Sequence, residues 1–212
     1  MIKETPRTGV IIIQDKNNKN DKKILRRVFS GLFVIMLIMF CSACGDNKSN
    51  DTSMTDSIVD AYMNEFCNYH ISGMNQYCMA DIDPYDDSES AVKACRALAE
   101  RIVWEKINIS VDGNSAIAQL RLTVPSDMEA ICGSALNDAV AKLDGGSDDS
   151  WTDLLVSAIR KRAGKAKTEE ISVEIHMTKV DNKWYIVKSL GVNHIVSDIR
   201  TSVAAVVSII EG

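Results

Sequence analysis

Residues 104–125 read WEKINISVDGNSAIAQLRLTVP. Ile107, Ile109 and Val111 alternate with Trp104, Lys106, Asn108 and Ser110. After Asp112-Gly113-Asn114, the residues Ala116, Ala118, Leu120, Leu122 and Val124 alternate with Ser115, Gln119, Arg121 and Thr123. A period of two puts successive side chains on opposite faces, so each run reads as a strand with one buried face. Two such runs about a Gly-Asn turn make a β-hairpin, and Pro125 ends it because proline has no N–H for the ladder. The pattern predicts Ile107, Ile109 and Val111 facing inward and Trp104 and Lys106 facing water.

A second hairpin follows at 170–190, EISVEIHMTKVDNKWYIVKSL. Ile171, Val173, Ile175 and Met177 face in, while Glu170, Ser172, Glu174, His176 and Thr178 face out. Asp181-Asn182-Lys183 is the turn, and Trp184 to Leu190 returns.

Helical spacing fills the rest of the C-terminal domain. Thr55 to His70 carries Ile58, Tyr62, Phe66 and Tyr69 at helix period, with Gly73 as its stop. Ser88 or Ser90 caps the next helix, whose stripe is Val92, Cys95, Leu98 or Ala99, and Ile102. Ser126-Asp-Met-Glu129 has the capping-box pattern. The helix after it is expected to turn Met128, Ile131, Leu136, Ala139 or Val140, and Leu143 inward. Asp149 or Ser150 starts another, with Leu154, Leu155, Ala158 and Ile159 apolar and Gly164 at a C-terminal cap position. Ile195, Ile199, Val203, Val206 and Ile210 recur helically near the end. The fold class is α+β: an antiparallel sheet of two hairpins, about four strands, with helices on one face.

Upstream the character changes. Lys22-Lys-Ile-Leu-Arg-Arg27 is basic, Leu32 to Phe40 is apolar, and Cys41-Ser42-Ala43-Cys44 follows. A basic start, a short apolar core and small residues at a cut site make a secretory signal peptide over 22–43. The apolar run from Val28 to Ala43 is shorter than the ~20 residues a spanning helix needs. The preceding stretch, 1–21, reads as disordered or as a misassigned start. Residues 44–53, without apolar side chains as far as Thr52, read as a flexible spacer before a domain at 54–212.

Charge also divides at Cys44. Residues 1–44 hold 8 of the 24 Lys and Arg and 3 of the 29 Asp and Glu, leaving 16 basic against 26 acidic groups beyond. So acidic a domain disfavours nucleic acid as a partner, because affinity there comes from neutralising phosphates. It also gains nothing from an anionic membrane surface. Outside the cytoplasm the even set Cys67, Cys78, Cys95 and Cys132 permits disulfides, with a bridge among the first three favoured by their nearness in sequence. Small buried thiols are the other reading.

Two resemblances follow from these residues. The Ser42-Ala43-Cys44 end of the apolar core resembles the lipobox of bacterial lipoproteins. This implies that Cys44 carries a diacylglycerol and becomes the first mature residue; Cys41 stands where that family usually has an aliphatic. The hairpins Ile-Ser-Val-Asp-Gly-Asn-Ser-Ala and Lys-Val-Asp-Asn-Lys-Trp-Tyr-Ile-Val, behind an opening helix, are similar to the nuclear transport factor 2-like, or cystatin-like, cone. The helical stretch Ser126 to Gly164 is longer than that cone usually carries.

Enzymes of that superfamily place a carboxylate or histidine inside the cone. Here the inward strand faces carry none, since Glu174 and His176 fall on the other side, so no acid–base pair is expected and no catalytic residue is assigned. Cys67 and His70 lack a second ligand pair for zinc. Asp81, Asp83, Asp86, Asp87 and Glu89 lack the glycine and final glutamate of a calcium loop. His176 and His194 are isolated. Arg160-Lys161-Arg162 with Lys165 and Lys167 balances a helix C-terminus, with anionic lipid or wall polymer as the alternative partner.

The expectation is therefore a lipid-anchored protein at the cell membrane, facing outside the cytoplasm. It binds an unidentified small molecule or protein without catalysis, metal or cofactor. The alternatives are a small hydrolase or isomerase working in the cone, or a structural component of an envelope complex.

Overall fold

Both hairpins merge into one sheet in the computed structural model, which describes residues 48–82 and 87–211. The segment 1–21, the signal peptide expected at 22–43, Cys44, the first residues of the expected spacer, Asp83 and Asp86 lie outside the described residues. Strands β1 (Val103–Asp112), β2 (Ser115–Pro125), β3 (Thr168–Val180) and β4 (Lys183–Lys188) pair antiparallel in chain order. Both tight turns have the backbone that hairpins require. Gly113 carries a φ of +55° at the first central position, and Asp181 and Asn182 both sit at positive φ, as in a type I′ turn. Asn114 ties the two turns together, because its carbonyl accepts from the Lys179 N–H at 2.8 Å. Thus one end of the sheet carries both turns. The opposite end carries the Pro125–Thr168 pairing and the 2.8 Å bond from Ser126 N–H to the Lys167 carbonyl.

Ala116, Ala118, Leu120, Leu122 and Val124 on β2, Val173, Ile175 and Met177 on β3, and Trp184 and Ile186 on β4 are all buried. They form one apolar face, and the helices cover it. These are α1 (Lys48–Cys67), α2 (Ile71–Asn75), α3 (Glu89–Ala99), α4 (Met128–Asp144), α5 (Trp151–Ala163) and α6 (Leu190–Glu211). Gly191 is required where α6 crosses the sheet: a β-carbon there would overlap Val173 Cγ1 and lie 2.8 Å from Val173 Cβ.

Several local expectations are corrected. The register of β1 slips between Lys106 and Asn108, leaving Ile107 as the extra residue of a bulge, half exposed to solvent. A bulge shifts the alternation by one, and edge strands are where bulges collect. Consequently Trp104, Ile109 and Val111 pack on the core together, and Lys106 joins the helix-bearing face. The first helix starts at Lys48, so residues 48–53 are helical rather than spacer. It ends at Cys67, not at Gly73, because Tyr69 turns into the left-handed region at φ 49° and Gly73 falls inside α2. Asp127, not Ser126, caps α4 through a 3.2 Å bond from Ala130 N–H, leaving Ser126 to bond Lys167. In α4 the inward residues are Ile131, Cys132, Ala135 and Ala139, while Val140 and Leu143 are exposed. Gly164 follows α5 at an ordinary helical φ of −67°, so its conformational freedom is not used. Ser88 and Ser150 cap α3 and α5 as the sequence allows.

Candidate functional site

Polar groups on the helix-bearing face hold the first helix. Asp51, in the first turn of α1, accepts from Lys179 Nζ at 2.6 Å and from Trp184 Nε1 at 3.3 Å. These are partners across the β3–β4 ladder beside its turn. The Lys179 hydrogen bond, joined by that of Trp184, holds the Asp51 carboxyl below its usual range. Further along α1, Asp56 and Asp60 close on Lys106 of β1, with the Asp60 contact at 2.6 Å. Burial opposes the charge on Lys106, but the two aspartates outweigh it and hold its ammonium above the ordinary value. At the far end of the helix, the Cys67 thiol reaches the Ile102 carbonyl at 3.7 Å. The helix therefore runs obliquely over the sheet from the turn end to the start of β1.

Val192, Ile195, Val196, Ile199, Val203, Val206 and Val207 of α6 are buried. At the start of α6, the buried Tyr62 hydroxyl lies 2.8 Å from Ser189 Oγ, which in turn donates to Asn193 Oδ1 at 3.1 Å. With Ser189 donating onward, Tyr62 is the donor in the first bond. Tyr69 is also buried; its hydroxyl has the Cys95 thiol as neighbour and no well-directed hydrogen bond. Close by, Arg200 Nη2 and Asp87 Oδ1 pair at 2.5 Å under partial burial.

The described cysteines are unbridged. The favoured bridge among Cys67, Cys78 and Cys95 is not formed: Cys67 sits against Ile102, Cys78 beside β4, and Cys95 in the core. Burial pushes the Cys95 and Cys132 thiols up to about 12 and those of Cys67 and Cys78 up to about 11. The Cys78 segment has a structural use. Met79 N–H donates to the Ile186 carbonyl and Ile186 N–H to the Tyr77 carbonyl, each at 2.8 Å, which covers the free edge of β4.

The other sequence candidates separate. His70 Nδ1 meets Glu65 at 2.5 Å, away from Cys67. Asp87 goes to Arg200 and Glu89 to Lys93, so the described acidic residues of that loop do not converge. Glu174 and His176 lie on the open face of the sheet, 3.2 Å apart, with Gln119 donating to Glu174 at 3.5 Å. Arg160 pairs with Glu100 and Arg162 with Asp138, leaving Lys161, Lys165 and Lys167 exposed beside the far end of the sheet. Among the described residues no three His, Cys, Asp or Glu side chains gather as metal ligands.

One concavity was not anticipated. Between α4 and α6 runs an open groove of about 410 Å³, walled by Ala130, Gly133 and Leu136 on one side and Ala205, Val206 and Ile209 on the other, with Asp127 and Glu129 at its α4 end. Small side chains at Ala130 and Gly133 on α4 and Ala205 on α6 leave this space.

No family model matches the chain, and no curated protein sequence matches it. Solved structures show distant likeness. A variant of Rv3472 from Mycobacterium tuberculosis, a protein of unknown function, is 12% identical with a TM-score of 0.37, covering 78% of this chain and 96% of that one. A candidate lipoprotein of Bacillus subtilis, ycdA, is 14% identical with a TM-score of 0.33, covering 88% of this chain and 60% of that one. Among the described residues no helix is long and apolar enough to cross a membrane.

Proposed function

We propose that this chain is a lipoprotein, held at the outer side of the cell membrane through a diacylglycerol on Cys44, and that its α+β domain binds a ligand or partner without catalysis. The observation that carries the reading is Ser42-Ala43-Cys44 directly behind a short apolar core with a basic start. Two acyl chains hold a protein at a bilayer where one holds it only reversibly. The acidic balance beyond Cys44 supports the same division of labour, with lipid rather than surface charge doing the holding. The inward residues of β2 and β3, among them Ala118, Leu120, Ile175 and Met177, are apolar and buried, which supports binding rather than acid–base chemistry. The antiparallel meander with helices on one face supports the nuclear transport factor 2-like cone as its fold family.

The test replaces Cys44 by serine. Wild-type protein should incorporate a radiolabelled fatty acid and sediment with membranes. Cys44→Ser should lose the label and run as the larger, unprocessed precursor. A serine variant of unchanged size that is still fully membrane-bound would refute the anchor.

A further inference from the structure

The covalent path from Cys44 to the folded domain is short, and its point of entry is fixed. Cys44 precedes Lys48, the first residue of α1, by four positions. Four residues span at most ~14 Å even when fully extended. The first turn of α1 is in turn pinned to one end of the sheet by Asp51, which accepts from Lys179 and Trp184. Both partners are only slightly exposed, and Lys179 Nζ also stands 5.8 Å from the Trp184 ring centroid. A lipid on Cys44 would therefore be attached within ~14 Å of the start of α1, which lies at the turn end of the sheet.

From this we infer that the domain meets the lipid surface with the turn end of its sheet, the Gly113-Asn114 and Asp181-Asn182 turns, and holds the other end out. The inference rests on the Cys44 anchor proposed above. Strand β2 has 11 residues, so the far end is ~36 Å further along the strand direction at ~3.3 Å per residue. That far end carries exposed Lys161, Lys165 and Lys167, and the groove between α4 and α6 begins there at Asp127. The excess of acidic groups beyond Cys44 opposes laying the domain's flank on anionic headgroups. The only basic run that would pull it over is at the end furthest from the tether. Screening over ~8 Å at physiological salt leaves that run little attraction across such a distance. The lysines and the groove are thus presented to the extracytoplasmic space, not to lipid. This disfavours the anionic-lipid reading of Lys161, Lys165 and Lys167.

The experiment measures energy transfer from a fluorophore on the domain to acceptors on lipid headgroups. The full chain is processed in a bacterial host and reconstituted into phosphatidylglycerol-containing vesicles. A single thiol is introduced by Lys183→Cys at the turn end or Lys165→Cys at the far end, both exposed positions losing the same charge. The native thiols are buried or half-buried, and the chain without an introduced cysteine gives their background. Transfer from position 183 is expected to exceed that from position 165 at least about twofold, given the length of the strands. Inserting twenty Gly and Ser residues after Asp46 is expected to abolish the difference. Equal or reversed transfer in protein that still floats with vesicles overturns the orientation and leaves the anchor standing. A difference that survives the inserted linker also overturns it, since something other than the short tether would then orient the domain. Protein that fails to float overturns anchor and orientation together.

Discussion

Gly191 and Gly133 are both helical glycines, and the structure assigns them opposite signs on substitution by alanine. At Gly191 the added β-carbon would overlap Val173 Cγ1 and stand 2.8 Å from Val173 Cβ. Ordinary carbon contacts lie at ~3.5–4.0 Å, so one backbone must retreat by roughly an ångström. Val173 has little freedom to yield, because a β-branched side chain in a strand is stiff at χ1 and its neighbours are buried. Overpacking of this kind costs about 1–3 kcal/mol. Against it stands a helix-propensity gain of at most ~1 kcal/mol, smaller still in a first turn. Gly191→Ala should therefore destabilise by about 1–2 kcal/mol. At Gly133, in the middle of α4, an added β-carbon meets nothing within 4 Å. There the propensity term acts alone, and Gly133→Ala should stabilise by roughly 0.5–1 kcal/mol. Urea unfolding of the purified protein in detergent, followed by circular dichroism, reads both. A kilocalorie corresponds to ~2–4 °C in Tm for a chain of this size, so a thermal scan gives a second reading. The double variant Gly191→Ala with Val173→Ala provides the control, since it removes Val173 Cγ1, the nearer of the two colliding atoms, and leaves only Cβ. Its cost should fall below the sum of the single costs by more than ~0.5 kcal/mol, the limit expected of independent sites. Additive costs, or a Gly191→Ala protein as stable as Gly133→Ala, would refute the close approach of α6 to β3.

Thiol chemistry and acid sensitivity test two further parts of the structure. With Cys67 and Cys78 pushed up to about 11 by burial, alkylation by iodoacetamide at pH 8 should run roughly two orders of magnitude slower than for a free cysteine and accelerate on adding urea. Alkylation at the rate of a free thiol in native protein would contradict the packing of α1 and of the Tyr77–Met79 edge. The carboxyls of Asp51 and Asp138 are held below the ordinary value, each first by a side-chain hydrogen bond, from Lys179 and Arg162 respectively. Depressed folded-state values mean that the unfolded chain binds more protons on acidification. Their contribution is therefore complete above pH ~4 and is lost as pH falls through the folded values. Replacing Asp138 by asparagine should flatten the acid limb of a Tm-against-pH curve below that pH and leave its slope near neutrality unchanged; an unaltered acid limb would show that the Arg162 pair does not couple to folding.

How much of this was legible from the sequence depended on whether local chemistry or tertiary geometry decided the element. The turns were readable because Gly113, Asp181 and Asn182 are residue types that tolerate positive φ. The two-sided alternation of β2 and β3 was readable because large apolar groups all fell on one phase. In α4 side-chain size points to the wrong phase. Cys132, Ala135 and Ala139 face the core, where close helix packing favours small side chains, while Val140 and Leu143 remain outside. Nothing local distinguishes those two stripes; the positions of α5 and α6 do. The groove went unseen for the same reason.

The bulge in β1 is the more consequential omission, and it left a trace. Before Ile107 the residues on one phase are Trp104 and Lys106, and after it the core phase holds Ile109 and Val111. A tryptophan assigned to the wet face of an otherwise apolar strand is a conflict between residue type and phase, and one inserted residue resolves it. The same insertion carries Lys106 onto the helix-bearing face, where a solitary ammonium would be costly to desolvate. Asp56 and Asp60 on α1 meet it there. That cluster and the Asp51 contact to Lys179 and Trp184 lie on different strands, so two points rather than one fix the direction of α1 across the sheet. A helix pinned at one point could swing its first turn toward either end of the sheet. The register slip at Ile107 is thus part of what fixes the first turn of α1 at the turn end of the sheet.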